Sequence, residues 1–145
     1  MTNRLEQLTQ FIRLGYADVF DDEFEFRSLH FQTDELTTEE AQHALKMVKS
    51  YNAFNGPKTA KSIEEFKGRV SDWRFGREGD PVLYVRLPYT TNQAEGQIGY
   101  IVGPRIPEPE HNAIFDRIYQ LFTKSLQAGS VSWDEDRHNI RIHWG

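Results

Sequence analysis

The chain has 145 residues, of which 38% are hydrophobic and 27% are charged, and its formal net charge is −5. This composition is typical of one folded domain and excludes a disordered chain or a coiled coil. Cysteine is absent, which excludes disulfides, thiolate metal sites and cysteine nucleophiles. No segment has the apolar length of a signal peptide or a membrane span, so we expect a cytoplasmic protein that does not associate with membranes.

The first third of the chain predicts a helix followed by a strand. Asn3 and Glu6 have the spacing of a capping box. Apolar residues then recur at helical intervals: Leu5, Leu8, Ile12, Tyr16 and Val19. Further along, Phe24 and Phe26 alternate with charged residues, which predicts a half-buried strand with a bend near residues 27–28.

The next segment predicts two more helices. Thr37 and Glu40 have capping-box spacing and start an apolar stripe. The sequence Asn55-Gly56-Pro57 predicts the end of that helix, with the glycine as a left-handed cap. Ser62, with Glu65 three residues further on, predicts the start of a shorter helix.

From about residue 73 the hydrophobic period changes to two, which predicts three strands: "DWRF", "VLYVRLPY" and "QIGYIV". The segments "GREGD" and "TTNQAEG" are predicted to be the turns between them. A helix follows, with an apolar stripe of Phe115, Ile118, Phe122 and Leu126 closed by Gly129, and the chain ends in a hairpin whose second strand is "HNIRIHWG".

The predicted order is α-β-α-α-βββ-α-ββ. Helices and mainly antiparallel strands that are segregated in this way are typical of the α+β class. We therefore predict a single α+β domain over residues 1–145, with a sheet of five to six strands packed on three to four helices.

The alternation of side chains along two strands indicates a candidate binding face. Tyr84 and Arg86 share one face of the predicted central strand, and Arg141 and His143 share the polar face of the last strand. A cation inside a sheet needs a counter-ion, water or a ligand. We predict an aromatic, cationic groove for an acidic or aromatic partner, lined by Tyr84, Arg86, Tyr100, Arg141, His143 and Trp73. The alternative is a solvated sheet face on which Arg86 pairs with Asp72 or Glu78.

Residues 46–86 carry nine basic and five acidic residues and suggest a second hypothesis, nucleotide or nucleic-acid binding. Lys58, Lys61 and Ser62 are its candidate anion-binding residues, because a predicted helix start lies among them. The segment lacks the second glycine of a phosphate-binding loop, and a solvated, well-capped connection is the favoured explanation of it.

Catalytic and metal-binding motifs are not recognisable. The sequence has no nucleophile elbow and no metalloprotease spacing of histidines. A third hypothesis is an enzyme that uses His138 or His143 as a general acid or base. The favoured hypothesis is a small non-enzymatic binding protein, monomeric or homodimeric, without metal or cofactor, whose partner is a protein or a small anionic ligand.

Overall fold

The computed structural model describes residues 3–17, 30–92, 100–104, 108–134 and 139–145; side-chain environments are described for these except at 89–92, 100–104 and 108–111. Within these ranges, no helix has the length and apolar character needed to cross a membrane. Val19, Phe24, Phe26 and His138 lie outside the described residues.

The described residues include four α-helices: α1 (Arg4–Gly15), α2 (Thr38–Met47), α3 (Gly56–Ser62) and α4 (Glu108–Gln120). A 3-10 turn at Ile63–Phe66 continues α3, and a π-helical turn at Leu121–Ser125 continues α4. The predicted helix starts are confirmed at α1, where Asn3 accepts a hydrogen bond from the Glu6 N–H, and at α2, where the complete capping box of Thr37 and Glu40 is present.

Seven strands are described: β1 (His30–Gln32), β2 (Asp72–Glu78), β3 (Asp80–Arg86), β4 (Tyr89–Asn92), β5 (Tyr100–Pro104), β6 (Ser130–Trp133) and β7 (Asn139–His143). Five of them form an antiparallel sheet in the order β1-β2-β3-β7-β6, and β4 pairs with β5 separately. The predicted α+β class, the order of elements and the central position of β3 are confirmed.

The hydrophobic core lies between the helices and one face of the five-stranded sheet. Alternate residues of the three central strands point into it and are fully buried: Trp73, Phe75, Leu83, Val85, Ile140 and Ile142. The helices contribute Ile12, Leu45, Ile118 and Phe122 from the apolar stripes that the sequence predicted. Leu5, predicted in the first stripe, is instead 46% exposed.

The prediction for residues 55–62 is wrong. Asn55-Gly56-Pro57 starts α3 rather than ending α2, because the Asn55 side chain accepts the Lys58 N–H and proline occupies the first turn. An added Cβ at Gly56 would overlap the carbonyl oxygens of Leu45 and Val48, so glycine lets α3 start directly against the end of α2. Ser62 is the last residue of α3, and the short helix predicted after it is present as the 3-10 turn Ile63–Phe66, which the Ser62 side chain does not cap.

Two turn predictions also need correction. The "GREGD" segment is mostly strand, because β2 and β3 pair up to Glu78 and Asp80 and leave Gly79, at φ +75°, as the turn. The last helical segment ends at Ser125 rather than at Gly129, and Gln127 adopts a left-handed conformation (φ +59°) after it. The predicted strand "VLYVRLPY" is divided into β3 and β4 at Leu87–Pro88, where proline has no N–H for a ladder hydrogen bond.

Candidate functional site on the polar face of the sheet

The sheet face opposite the core carries the candidate site. Tyr84 on β3 lies directly between Arg74 on β2 and Arg141 on β7, since both are its register partners. Arg86, Glu78 and His143 share this face. We call the surface formed by Arg74, Glu78, Tyr84, Arg86, Arg141 and His143 the polar face.

One carboxylate connects three strands of the polar face. Glu78 on β2 accepts a hydrogen bond from the Tyr84 hydroxyl at 2.5 Å and another from Arg141 Nη2 at 2.7 Å. The backbone carbonyl of Glu78 lies 3.0 Å from His143 Nε2. Because a carbonyl can only accept, this nitrogen carries the proton and donates it. The predicted Arg141 and His143 therefore belong to one network, whose centre is an acid.

These hydrogen bonds explain the burial of the surrounding residues. Arg141 and His143 extend from β7 across β3 to reach β2, and Val82 of β3, opposite His143, is fully buried on this face. Tyr84 retains only 8% of its exposure. Glu78 and Arg141 each retain 28% side-chain exposure, so the polar face is a hydrogen-bonded layer that still meets solvent, which is compatible with the alternative of a solvated sheet face with paired charges.

The network shifts the ionisation of its members. Partial burial raises the pKa of Glu78, but the hydrogen bonds from Tyr84 and Arg141 outweigh it, and the net pKa is lowered. Burial, together with the hydrogen bond to the Glu78 carboxylate, raises the pKa of Tyr84 to about 12. Glu78 is therefore held as the anion and Tyr84 as the neutral phenol.

A second ion pair occupies the end of the polar face. Arg86 donates to Asp72 Oδ2 from Nε at 2.8 Å and from Nη2 at 2.5 Å, and it also lies 3.5 Å from Glu35. This pairing was one of the alternatives predicted from the sequence. Burial raises the pKa of Asp72 in spite of the adjacent Arg86. Its second oxygen, Oδ1, is buried and has no hydrogen-bond partner among the residues that the structure describes.

Arg74 differs from both other arginines of the polar face. Among the described residues its hydrogen-bond partners are amide oxygens, Gln32 Oε1 at 3.0 Å and Asn139 Oδ1 at 3.3 Å. Its guanidinium carbon lies 5.3 Å from the ring centroid of Tyr84, so the phenol supports it from below. Amides are weaker acceptors for a guanidinium than the bidentate carboxylates that it prefers. The half-buried Arg74 therefore retains capacity for an acidic group.

Arg74 lies at one end of a cleft along the β1 edge of the sheet. The polar part of this cleft, about 610 Å³, is lined by Arg4, Gln32, Thr33, Asp34, Glu35 and Arg74. An adjoining part of about 270 Å³ shares Arg4, Gln32, Thr33 and Asp34 and continues over Leu8, Phe11 and Leu36 of α1 and the β1–α2 connection. A polar end with two arginines and two carboxylates is thus continuous with an apolar floor. We call these two parts together the edge cleft.

One of the predicted site residues lies away from the others, and the side chain of a second is outside the described environments. Trp73 lies on the opposite face of β2, fully buried in the core, where its indole N–H donates to Thr38 Oγ1 at 3.0 Å. Its place on the polar face is taken by Arg74, the residue that pairs with Tyr84. Tyr100 lies in β5, outside the five-stranded sheet, and its side chain is outside the described environments.

The basic segment 46–86 does not form one surface. Lys58 donates to the Ser125 carbonyl at 2.9 Å, and the hydroxyl of Ser62 donates to the Lys58 carbonyl at 2.8 Å. Lys61 is exposed at the end of α3 rather than at its start. The aromatic residues that alternate with these cations in the sequence, Phe54, Trp73 and Phe75, are buried in the core.

Within the described ranges, no group of three or more His, Asp or Glu side chains is placed to hold a metal ion. No protein-family model, curated protein or solved structure matches this chain. Function is therefore inferred from the geometry of the described residues alone.

Proposed function

We propose that the protein is a small, non-enzymatic binding module that holds an acidic group of its partner at Arg74, where the polar face meets the edge cleft. The observation that carries this proposal is the difference between three arginines on one surface. Arg86 and Arg141 are neutralised by Asp72 and Glu78, whereas Arg74 is hydrogen-bonded to amides.

The environment of Arg74 suits this residue to bind an acidic group rather than to stabilise the fold. Tyr84 and its hydrogen bond to Glu78 fix the surface beneath the guanidinium, so little side-chain entropy remains to be lost when an acid binds. Gln32 is exposed, and its amide is readily displaced by a carboxylate. A cytoplasmic location and a protein or small anionic partner are parts of the same proposal, supported by the absence of cysteine and by this chemistry.

The test is direct binding of a blocked pentaglutamate peptide at low ionic strength, followed by calorimetry, with a pentaglutamine peptide as the neutral reference. We expect the glutamate peptide to bind and the Arg74→Gln variant to lose affinity by about tenfold or more, since a hydrogen bond to a charged group is removed. Lys124→Gln is the matched control, because this exposed lysine on the helical layer loses the same charge.

A substitution at Asp34 should have the opposite effect on the affinity for the glutamate peptide. This exposed carboxylate lines the edge cleft and repels an incoming acid. Asp34→Asn should therefore strengthen binding of the glutamate peptide. The proposal is wrong if the glutamate peptide does not bind, or if Arg74→Gln and Lys124→Gln reduce its affinity equally. Tighter binding of a single-stranded oligonucleotide that is lost in Lys58→Glu/Lys61→Glu would instead favour the nucleic-acid hypothesis.

A further inference from the structure

The edge cleft also limits the shape of the partner. Among the strands that the structure describes, β1 is an edge strand of the five-stranded sheet and pairs only with β2. The Thr33 N–H donates to the Phe75 carbonyl and the Phe75 N–H donates to the Thr33 hydroxyl, so the N–H of Thr33 faces β2. Because inward-facing residues alternate along an antiparallel strand, the N–H and carbonyl of the preceding residue, Gln32, point away from β2. They point along the sheet toward the edge cleft, which Gln32 lines.

We infer that the edge cleft binds an extended peptide by strand addition to β1, with an acidic side chain on Arg74 and an adjacent apolar side chain on the cleft floor. This inference rests on the proposed function and names its partner class. A peptide residue opposite Gln32 forms two main-chain hydrogen bonds with it, as in other cases of strand addition.

Strand alternation assigns the side chains of this peptide. The residue opposite Gln32 points to the same side of the sheet as Gln32, which is the polar face, where Gln32 already contacts Arg74. Its carboxylate thus replaces the Gln32 amide on the guanidinium. The residues on either side of it point to the opposite face.

The peptide side chains that point to the opposite face reach the apolar floor of the edge cleft. Phe11 is 42% exposed although its ring packs edge-on against Phe31 at 5.4 Å, and Leu8 and Leu36 complete the floor. An exposed aromatic ring beside an edge strand provides the apolar area that a short peptide needs in addition to its hydrogen bonds. The charge complementarity with Arg74 and the apolar floor together favour an acidic–apolar alternating peptide over a uniformly acidic one.

The experiment uses the full chain and a blocked pentapeptide in which a central glutamate is flanked by leucines and terminal glycines. The amide NMR spectrum of the protein is recorded while the peptide is added, and the affinity is measured by calorimetry. We expect the Gln32 amide to shift on binding, and methylation of the glutamate backbone nitrogen to weaken binding about five- to tenfold, since it removes a main-chain donor. Replacement of both leucines by serine should weaken binding similarly.

Phe11→Ser and Leu14→Ser form a matched pair of variants on α1. Leu14 is 57% exposed and does not line the edge cleft, whereas Phe11 does. We expect Phe11→Ser to weaken binding of the leucine-flanked peptide by about tenfold, and Leu14→Ser to leave it unchanged.

The outcomes separate this inference from the proposed function. If the peptide binds in an Arg74-dependent way but tolerates backbone methylation and leaves the Gln32 amide unshifted, strand addition is wrong and the acidic site remains. If no acidic peptide depends on Arg74, both are wrong. A dimer that forms without peptide and shifts the Gln32 amide would make a second copy the occupant and overturn the peptide assignment.

Discussion

The Tyr84 hydroxyl donates a 2.5 Å hydrogen bond to Glu78 on the neighbouring strand. The same carboxylate accepts from Arg141 on the strand at the other side of Tyr84. One acid thereby links β2, β3 and β7, and it fixes the phenol ring on which Arg74 lies. The proposed binding surface at Arg74 thus rests on a network in which Glu78 already accepts hydrogen bonds from both Tyr84 and Arg141.

Tyr84 should ionise later than an ordinary tyrosine, with a pKa of about 12. Since the raised pKa favours the protonated phenol in the folded state, its contribution to stability is fully present below the unfolded value of 10.0 and is lost as pH rises through about 12. An ultraviolet titration measures this step. Tyr84→Phe should remove this late titration step, and Glu78→Gln should lower the pKa of Tyr84. A late step that persists in Tyr84→Phe would contradict its assignment to Tyr84.

Glu78→Gln should lower the free energy of unfolding at neutral pH by about 1–3 kcal/mol, because the charged acceptor of Tyr84 and Arg141 is lost. The pKa of Glu78 is lowered in the folded state, so this stability is present above the unfolded value of 4.5 and is lost as pH falls through the folded value. Urea unfolding at several pH values measures the effect. Equal stability of Glu78→Gln and the natural chain at pH 7 would show that the network contributes nothing.

Asp72→Asn, unlike Glu78→Gln, should not lower the free energy of unfolding at neutral pH. Burial raises the pKa of Asp72, so its ionised form costs stability, and that cost grows as pH rises through the folded pKa. An asparagine keeps an oxygen for Arg86 and removes a buried charge whose Oδ1 has no partner. We expect unfolding at pH 7 to be unchanged or shifted to higher urea. A larger loss of stability than in Glu78→Gln would contradict this interpretation.

The indole of Trp73 belongs to the core, and Thr38→Val tests this position. The substitution leaves the buried indole N–H without its acceptor and should cost about 1–3 kcal/mol of stability. Binding of the glutamate peptide should not change. Thermal unfolding measures the stability of this variant, and calorimetry measures its affinity for the glutamate peptide. A loss of affinity in a stable Thr38→Val protein would indicate that Trp73 does contribute to binding.

Gly56→Ala should destabilise the protein by at least about 1–3 kcal/mol, because the added methyl group overlaps the carbonyl oxygens of Leu45 and Val48. Gly68→Asn is the control. At Gly68 the φ of +82° is tolerated by asparagine, and an added Cβ meets no atom within 4 Å. Urea unfolding should show a small effect for the control, and similar effects for both variants would contradict the close approach of α3 to α2.

Strand alternation correctly predicted which residues share a face when both residues lie on the same strand. Tyr84 with Arg86, and Arg141 with His143, occupy the same face because the period of a strand is two. Arg74 was missed because its position beside Tyr84 depends on the register between β2 and β3. A single sequence does not specify that register until the turn at Gly79 is known.

Glu78 was considered only as a counter-ion of Arg86, and its hydrogen bonds with Tyr84 and Arg141 were missed for a related reason. The glycines of "GREGD" suggested a long turn, but Gly76 lies within β2, where an added Cβ would overlap the Phe31 carbonyl of β1. A glycine required by the close approach of another strand is indistinguishable in sequence from a glycine that makes a turn. The same ambiguity affected Asn55-Gly56-Pro57, which can end one helix or begin the next.

The most direct measurement is an NMR titration that observes the arginine Nε–H signals of the full chain while the leucine-flanked glutamate peptide is added. We predict that the Arg74 signal shifts in proportion to binding, whereas the Arg141 signal, whose Nε–H already donates to Glu78, changes little. A bound peptide that shifts Arg141 and leaves Arg74 unchanged, or that shifts neither, would contradict the proposed site.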